Sequence, residues 1–291
     1  GNSIGDFYYT PPTGFLALCT SNLPDVAVVP SENFNIVTYT GNGADDRSIT
    51  GVGFQPDFTW NKARSNSNSH RLFDAIRGGT KVVLSDDTAA EYTDNGVKSF
   101  LSDGFVTSRT GGNSNDNNWT YVSWNWKANG SGSSNTNGDI TSTVSANVDA
   151  GFSIVSYTGN GASLATIGHG LSKAPEMIHI KNRADADSWL SLYTVVDGSL
   201  DYMYLNLTNA RANHSIAVPT ASVFSVDDGN SSNGSSDALI AYCFHSVDGY
   251  SKVGAYTGNG NVDGTFIYTG FRPAWIMIKR TDVADAWAIL D

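Results

Sequence analysis

Five histidines, two cysteines and 28 acidic residues are the groups in this 291-residue chain that could ligate a metal or move a proton. Their spacing assembles neither device. His70, His169, His179, His214 and His245 are scattered, and Cys19 and Cys243 have no paired spacing. Neither a zinc site nor a disulfide framework is implied, and both cysteines are expected to be free and buried. The G-x-S-x-G turn that presents a nucleophilic serine is absent. Glycoside hydrolysis takes two facing carboxylates. Glu32, Glu91 and Glu176 are the only glutamates and lie in dissimilar contexts, while the aspartates sit mostly in turn-like text. The chain reads as a non-enzyme, with no catalytic residues and no metal ligands.

Weaker chemistry is concentrated in polar runs. Residues 113–118 (NSNDNN) and 227–237 (DDGNSSNGSSD) are rich in oxygen donors, and each precedes an aromatic run. Calcium is the ion such loops would take, but the spacing is not that of the twelve-residue calcium loop. No cofactor is therefore expected. Loops are also where binding residues collect, because strands are committed to packing. Loops 64–70, 111–118 and 227–237 accordingly supply the ligand-binding candidates: Arg64, His70, Asn115, Asp116, Asp227, Asp228 and Asp237.

The elements that hold these loops repeat. The pentapeptide YTGNG occurs at 39–43, 157–161 and 256–260. After each copy come a proline, an alternating apolar run and a lysine: Pro56 to Lys62, Pro175 to Lys181, and Pro273 to Lys279. An arginine comes next at 64, 183 and 280. Two motifs in one order, three times, define an array of a single unit. The opening run FNIVTY (34–39) matches FSIVSY (152–157), with Phe34, Ile36 and Thr38 on one strand face and Asn35, Val37 and Tyr39 on the other. The glycines after each tyrosine demand a tight turn. Trp60 matches His179 and then Met277, so His179 is expected to be a packed core residue. Each repeated lysine is expected to lay its stem on apolar surface with its ammonium in water or near a carboxylate. The closing aromatic strands, around Trp124 and Tyr242, carry bulk on both faces and read as central strands. Anchored on Gly130 and Gly249, Trp124 falls opposite Cys243 and Trp126 opposite His245. Only residues 86–101 offer a helix-like start.

Hydrophobic residues make up 40% of the chain and charged residues 15%, so cores can form under a neutral polar surface. The scarcity of Glu beside Asp, with 30 Gly, favours strands joined by turns. A net charge of −11 and the lack of a basic stripe exclude nucleic acid as a partner. No apolar run reaches the roughly 18 residues of a membrane span. The fold class expected is all-β: tandem antiparallel β-sandwich repeats of jelly-roll or lectin-like kind. Residues 1–33 would be the end of an upstream domain plus a connector. Residues 34–128 would be the first repeat, 129–149 a flexible Gly/Ser/Asn-rich linker, 150–249 the second repeat, and 250–291 the start of an incomplete third, cut from a longer polypeptide.

Residues 5–24 (GDFYYTPPTGFLALCTSNLP) resemble the closing stretch of SPRY-like, concanavalin-type domains in large virion proteins of marine tailed phages. The chain beyond residue 24 resembles the tandem β-rich repeats found downstream of such domains, through YTGNG, RSITGVGFQP (47–56), WNWK (124–127) and GFRP (270–273). The resemblance implies an exposed virion structural protein, a tail fibre or decoration protein, that attaches to a host cell-surface glycan or protein. It implies contact with other virion proteins and a homo-oligomer, with a trimer as the usual form. It supplies no catalytic residues. Two other readings fit the sequence: a bacterial extracellular adhesin or carbohydrate-binding array, and a polysaccharide depolymerase.

Overall fold

The structure is a computed structural model that describes Tyr9, Pro12, residues 28–110 and residues 113–291. The upstream domain end expected before residue 28, with Cys19, falls outside the described residues apart from Tyr9 and Pro12. The described chain is all-β, built from several antiparallel sheets.

The first unit runs through β1 (Phe34–Thr40), β2 (Arg47–Thr50), β3 (Phe58–Ala63), β4 (Arg71–Asp74), β5 (Lys81–Leu84), β6 (Tyr92–Thr93), β7 (Ser99–Leu101), β8 (Gly104–Thr107) and β9 (Thr120–Trp126). Its large sheet has the order β1-β9-β3-β4-β5-β6, and its small sheet the order β2-β8-β7. The second unit runs through β10 (Ser133–Asn135), β11 (Ser142–Asn147), β12 (Phe152–Thr158), β13 (Ala165–Gly168), β14 (Met177–Asn182), β15 (Leu190–Tyr193), β16 (Asp201–Tyr204), β17 (Ala212–Asn213), β18 (Val223–Val226), a one-turn helix α1 (Asn230–Asn233) and β19 (Ala238–Phe244). Its large sheet repeats the first from β12 onward, as β12-β19-β14-β15-β16-β17, with β10 and β11 added at the β12 edge, and β13-β18 forms its small sheet. The third copy contributes β20 (Ile276–Ile278) and β21 (Ala288–Leu290).

β1 and β12 thus hold the same place in two sheets of the same order, and β9 and β19 are interior strands, as their two-sided bulk implies. Register corrects the alignment of the closing strands by one residue. Phe34 faces Trp126 and Phe152 faces Phe244, so Trp126 matches Phe244 and Trp124 matches Tyr242. Glycines beyond the strand end mislead because a turn can absorb one extra residue, whereas a ladder cannot. Residues 86–101 form β6, β7 and turns instead of a helix. The stretch 129–149 carries β10 and β11; Val144 is buried and Ala146 packs beside it in the second unit's core, so Ser/Thr/Asn-rich text extends the sheet there.

Alternation splits each large sheet between two cores. In the first unit, Val37, Tyr39, Phe73 and Val82 join Ile49 and Phe105 of the small sheet. Val155, Ile178, Leu192 and Ala241 do the same in the second unit with Ile167 and Phe224. The opposite faces meet one another. Phe58, Trp60, Trp124 and Trp126 of the first unit, Phe152, Ile154, Trp189 and Tyr242 of the second, and Trp275, Met277, Trp287 and Ile289 of the third form one aromatic core. Large rings dominate such burial energetics, each removing roughly 150–250 Å² from water.

Candidate functional site: turn locks and inter-unit clasps

Each complete unit holds its YTGNG turn with the same bonds. Tyr39 Oη donates to Ser114 O at 2.8 Å, and Tyr157 Oη to Ser232 O at 2.6 Å. Asn42 N donates to Asn115 Oδ1, while Asn115 Nδ2 returns bonds to Asn42 Oδ1 (2.8 Å) and Ala44 O (2.7 Å). Asn160, Asn233 and Ala162 repeat this set. A Cβ on Gly41 would sit 2.0 Å from Asp116 O, and one on Gly159 2.2 Å from Gly234 O, so the first glycine of the motif must lack a side chain. Gly43 and Gly161 have φ of 70° and 66°, the left-handed region that glycine tolerates.

The predicted binding residues spread across these loops and do not converge. Asn115 is buried inside the first lock. Asp116 is half-buried beside Tyr121, whose hydroxyl donates to Asp116 Oδ2. Asp237 Oδ2 accepts from Asn182 Nδ2, and Asp227 Oδ1 accepts from Gly229 N and Ser232 Oγ, so both serve the second lock and its helical turn. Asp227 Oδ2 also lies 3.6 Å from His214 Nε2. Arg64 and Asp228 are exposed. His70 is half-buried: Trp60 Nε1 donates to its Nδ1 at 2.8 Å and Trp124 stacks on its ring. Burial pushes the His70 pKa down to about 4, with Lys62 adding to the effect and Asp86 opposing it. His179 is a core residue bonded to Ser191 Oγ, and burial puts its pKa at about 4 as well. Cys243 is free and buried. Among the described residues no three His, Cys, Asp or Glu side chains gather as a metal site, and no helix is long and apolar enough to cross a membrane.

Where polar chemistry does concentrate is between units. Trp189 Nε1 donates to Leu84 O at 2.6 Å; in the same way Trp287 Nε1 donates to Tyr204 O at 3.0 Å. Lys181 Nζ donates to Thr88 O, and Lys279 Nζ to Thr208 O. Glu91 N donates to Arg183 O, and Arg211 N to Thr281 O. The segment after β5 in one unit therefore clasps the β3-type turn of the next. The clasp also shows that Thr281, not the neighbouring Arg280, holds the place of Arg183. The ammonium of Lys181 is buried, which leaves the neighbourhood of carboxylates as the one of its two expected settings that it takes. It is shared among Thr88 O, Asp185 O and Asp187 O, and burial holds its pKa near 8 against the pull of Asp187, Asp87 and Asp185.

A buried ionic network fixes the first clasp. Arg77 pairs with Asp74 and Glu91, and its Nη2 donates to Leu72 O and to Tyr242 Oη. Tyr242 Oη in turn donates to Asp74 Oδ2 at 2.7 Å. Arg183 grips Glu91 through both oxygens, at 2.8 and 2.9 Å. Burial raises the Glu91 pKa, but the bonds and charges of Arg183 and Arg77 outweigh it and hold the carboxyl below its ordinary value. Glu91, Arg77 and Trp189 went unrecognised in the sequence as interface residues. One signal was there: Trp189 and Trp287 each stand eight residues past the repeated lysine, the position that His70 fills in the first unit.

No curated protein and no solved structure matches this chain. A family model described as a domain of unknown function, DUF7483, matches residues 29–291, which takes in both complete units and the third copy. The chain belongs to the DUF7483 family.

Proposed function

We propose that this chain is a structural protein of a tailed-phage virion, a tail fibre or exposed decoration protein, that attaches the particle to a host cell-surface glycan or protein. Each complete unit is read as a β-sandwich of jelly-roll or lectin-like kind, its small sheet covering one face of its large sheet. The observation that carries this reading is the recurrence of one polar turn lock in units that share a common core. Such an arrangement offers the same surface more than once at fixed spacing. Weak sites engaged together gain affinity without new contacts. Buried interface roles for the strongest charges, Arg77, Asp74 and Glu91, leave recognition to the exposed amide and hydroxyl groups of the loops.

The test has two arms. Immunogold labelling of intact particles with antibody to residues 28–291 is expected to decorate the tail or capsid surface. Fluorescent protein is expected to bind host cells and to be displaced by extracted surface glycan or lost after mild protease treatment of the cells. Absence from the particle together with absence of cell binding overturns the reading.

A further inference from the structure

Six Asn-Gly pairs lie in the two complete units, at 42–43, 95–96, 129–130, 137–138, 160–161 and 233–234. Such a pair is open to reaction with itself, because glycine has no Cβ to keep its backbone N away from the side-chain carbonyl carbon of the asparagine. Five of the six are held. Gly43 N and Gly161 N, the nitrogens that would attack, donate to Asn115 O at 2.9 Å and Asn233 O at 3.1 Å. The carboxamides they would attack are fixed as well: Asn42 Oδ1 accepts from Ala44 N and Asn115 Nδ2, and Asn160 Oδ1 accepts from Ala162 N and Asn233 Nδ2. Asn233 is buried, with Asn160 and Ala162 bonded to its side chain. Gly96 N donates to Asp94 Oδ1, and Asn95 Nδ2 to Thr110 O. Gly138 bridges to Ile167, and Thr166 O lies 2.6 Å from where its Cβ would stand.

Asn129 and Gly130 differ. Asn42, Asn129 and Asn160 are all exposed, so water reaches each of them and exposure does not tell them apart. Asn129 is engaged only through its backbone. Its N donates to Ser145 Oγ at 2.7 Å, and its O accepts from Gly132 N at 3.4 Å, a long bond across the turn. Among the described residues nothing hydrogen-bonds the Asn129 carboxamide or Gly130 N. Gly130 has a φ of 62°, and no atom lies within 4 Å of a Cβ added to it. The pair stands after β9 of the first unit and before β10, which extends the sheet of the second.

We propose that Asn129 and Gly130 form a self-modification site, and that the turn locks shield Asn42 and Asn160 from the same reaction. Gly130 N gives its proton to hydroxide and attacks Asn129 Cγ. The new N–Cγ bond closes a cyclic imide; the Cγ–Nδ2 bond breaks, and Nδ2 leaves as ammonia with a proton from water. Water then adds to either imide carbonyl and reopens the ring, giving aspartate or isoaspartate. In sum a water is consumed, an ammonia is released and a carboxyl group is gained, with no oxidant or reductant. In the isoaspartate product the main chain runs through Cγ and is longer by one carbon. The loss of ammonia makes the change irreversible. It therefore accumulates with time as a fixed negative charge where the first complete unit passes into the second.

The intact chain is held in mildly alkaline buffer, sampled over time, digested in acid and mapped by mass spectrometry. Asn129 is expected to convert first, to a mixture of aspartate and isoaspartate. Asn42 and Asn160 should convert at least about tenfold more slowly, because the bonds of the lock must open before the imide can form. In urea, where the locks are gone, the rates of the six pairs should converge. Asn115→Ala removes the side chain of the first lock and should speed Asn42 by about tenfold or more, while Asn160, whose lock is intact, keeps its rate. Conversion of Asn129 no faster than that of Asn42 and Asn160 in the folded chain overturns the proposal. So does the same order of rates in urea, which would assign it to local sequence, or an unmoved Asn42 in a folded Asn115→Ala. The folded and urea comparisons use the unsubstituted chain, so they stand even where Asn115→Ala fails to fold.

Discussion

Trp124 and Asp291 share a hydrogen bond, Nε1 to Oδ2 at 3.1 Å, across 167 residues of sequence. The bond joins the closing strand of the first unit to the β4-type strand of the third, as Tyr242 and Asp74 join the second unit to the first. Ring contacts obey the same rule. Phe58 lies 5.9 Å from Phe152 of the second unit, and Trp275, at the Phe58 position, lies 6.4 Å from Phe34 of the first. The clasp joins the first unit to the second and the second to the third, and the closing-strand bond joins the second to the first and the first to the third, so the third returns to the first. An open solenoid lets each repeat touch only its neighbours in sequence; here the succession closes on itself around the shared aromatic core.

The clasp tryptophans should be worth more than their area. Trp189→Phe keeps a ring in the core but strands the Leu84 carbonyl in a buried setting, which costs about 1–3 kcal/mol. Trp189→Ala should cost roughly 3–5 kcal/mol because it also leaves a cavity. Trp287→Phe should cost less than Trp189→Phe, since Trp287 is only partly buried and Trp189 is fully buried. Urea unfolding of the three variants against the parent chain reads this order directly.

The Arg77–Asp74–Tyr242 network should behave as a unit. Asp74→Asn removes the charge opposite a fully buried guanidinium, and breaking such a pair costs about 3–5 kcal/mol. Tyr242→Phe removes a donor to Asp74 and an acceptor for Arg77 and should cost roughly 1–3 kcal/mol. In a double-mutant cycle the two losses should fall short of additivity by at least ~0.5 kcal/mol, because both act on the same carboxylate. Strict additivity would mean the hydroxyl and the guanidinium hold Asp74 independently.

The opening, post-proline and closing strands of the two complete units, the interior place of β9 and β19, and the turn at each YTGNG were legible in the sequence, because alternation and glycine requirements act locally. Two kinds of feature were not. The closing strands slipped by one residue because nothing local fixes register; the ladder from Phe34 to Trp126 does. The interface roles of Lys181 and Trp189 were hidden for another reason. Their partners, Thr88 O and Leu84 O, are backbone atoms, and a carbonyl leaves no residue type to recognise. Asn115 reads as a surface loop residue by composition, yet it is buried because an amide side chain can satisfy a turn's backbone groups as well as water can. Residues 129–149 have the composition of a linker, and their strands become visible only when β12 offers an edge to pair with.

Acid should unfold the protein through its buried histidines. His179 and His70 titrate near 4 in the fold, both chiefly through burial, against about 6.5 in an unfolded chain. A depressed folded pKa means the unfolded chain takes up the proton first as pH falls. The stability each neutral ring supports is thus complete above about pH 6.5 and is lost as pH drops through 4, on the order of 3 kcal/mol for His179. Lys181, near 8 in the fold, has the same sign in the alkaline range, where stability rises between pH 8 and about 10.4. Urea midpoints at pH 7, 5 and 4 should fall steadily for the parent chain. They should fall less for His179→Met, which carries the residue found at the same place in the third copy, Met277. An equal acid slope in parent and variant would assign the loss to carboxylates such as Glu91.

Glycine substitutions distinguish a filled turn lock from an empty one. Gly159→Ala places a methyl group 2.2 Å from Gly234 O, a distance no packed Cβ tolerates, so the loop or β19 must shift. Overpacking of this kind costs about 1–3 kcal/mol. Gly41→Ala meets Asp116 O at 2.0 Å and should cost the same in the first unit. Gly258 is the identical position in the third copy, with no atom within 4 Å of the added Cβ, so Gly258→Ala should leave the unfolding midpoint within about 0.5 kcal/mol of the parent chain. Because the three changes share sequence context and chemistry, the difference isolates the backbone that precedes the closing strand. Should Gly258→Ala prove as damaging as Gly159→Ala, the third turn would be packed against backbone as the first two are, and the open space around Gly258 would be refuted.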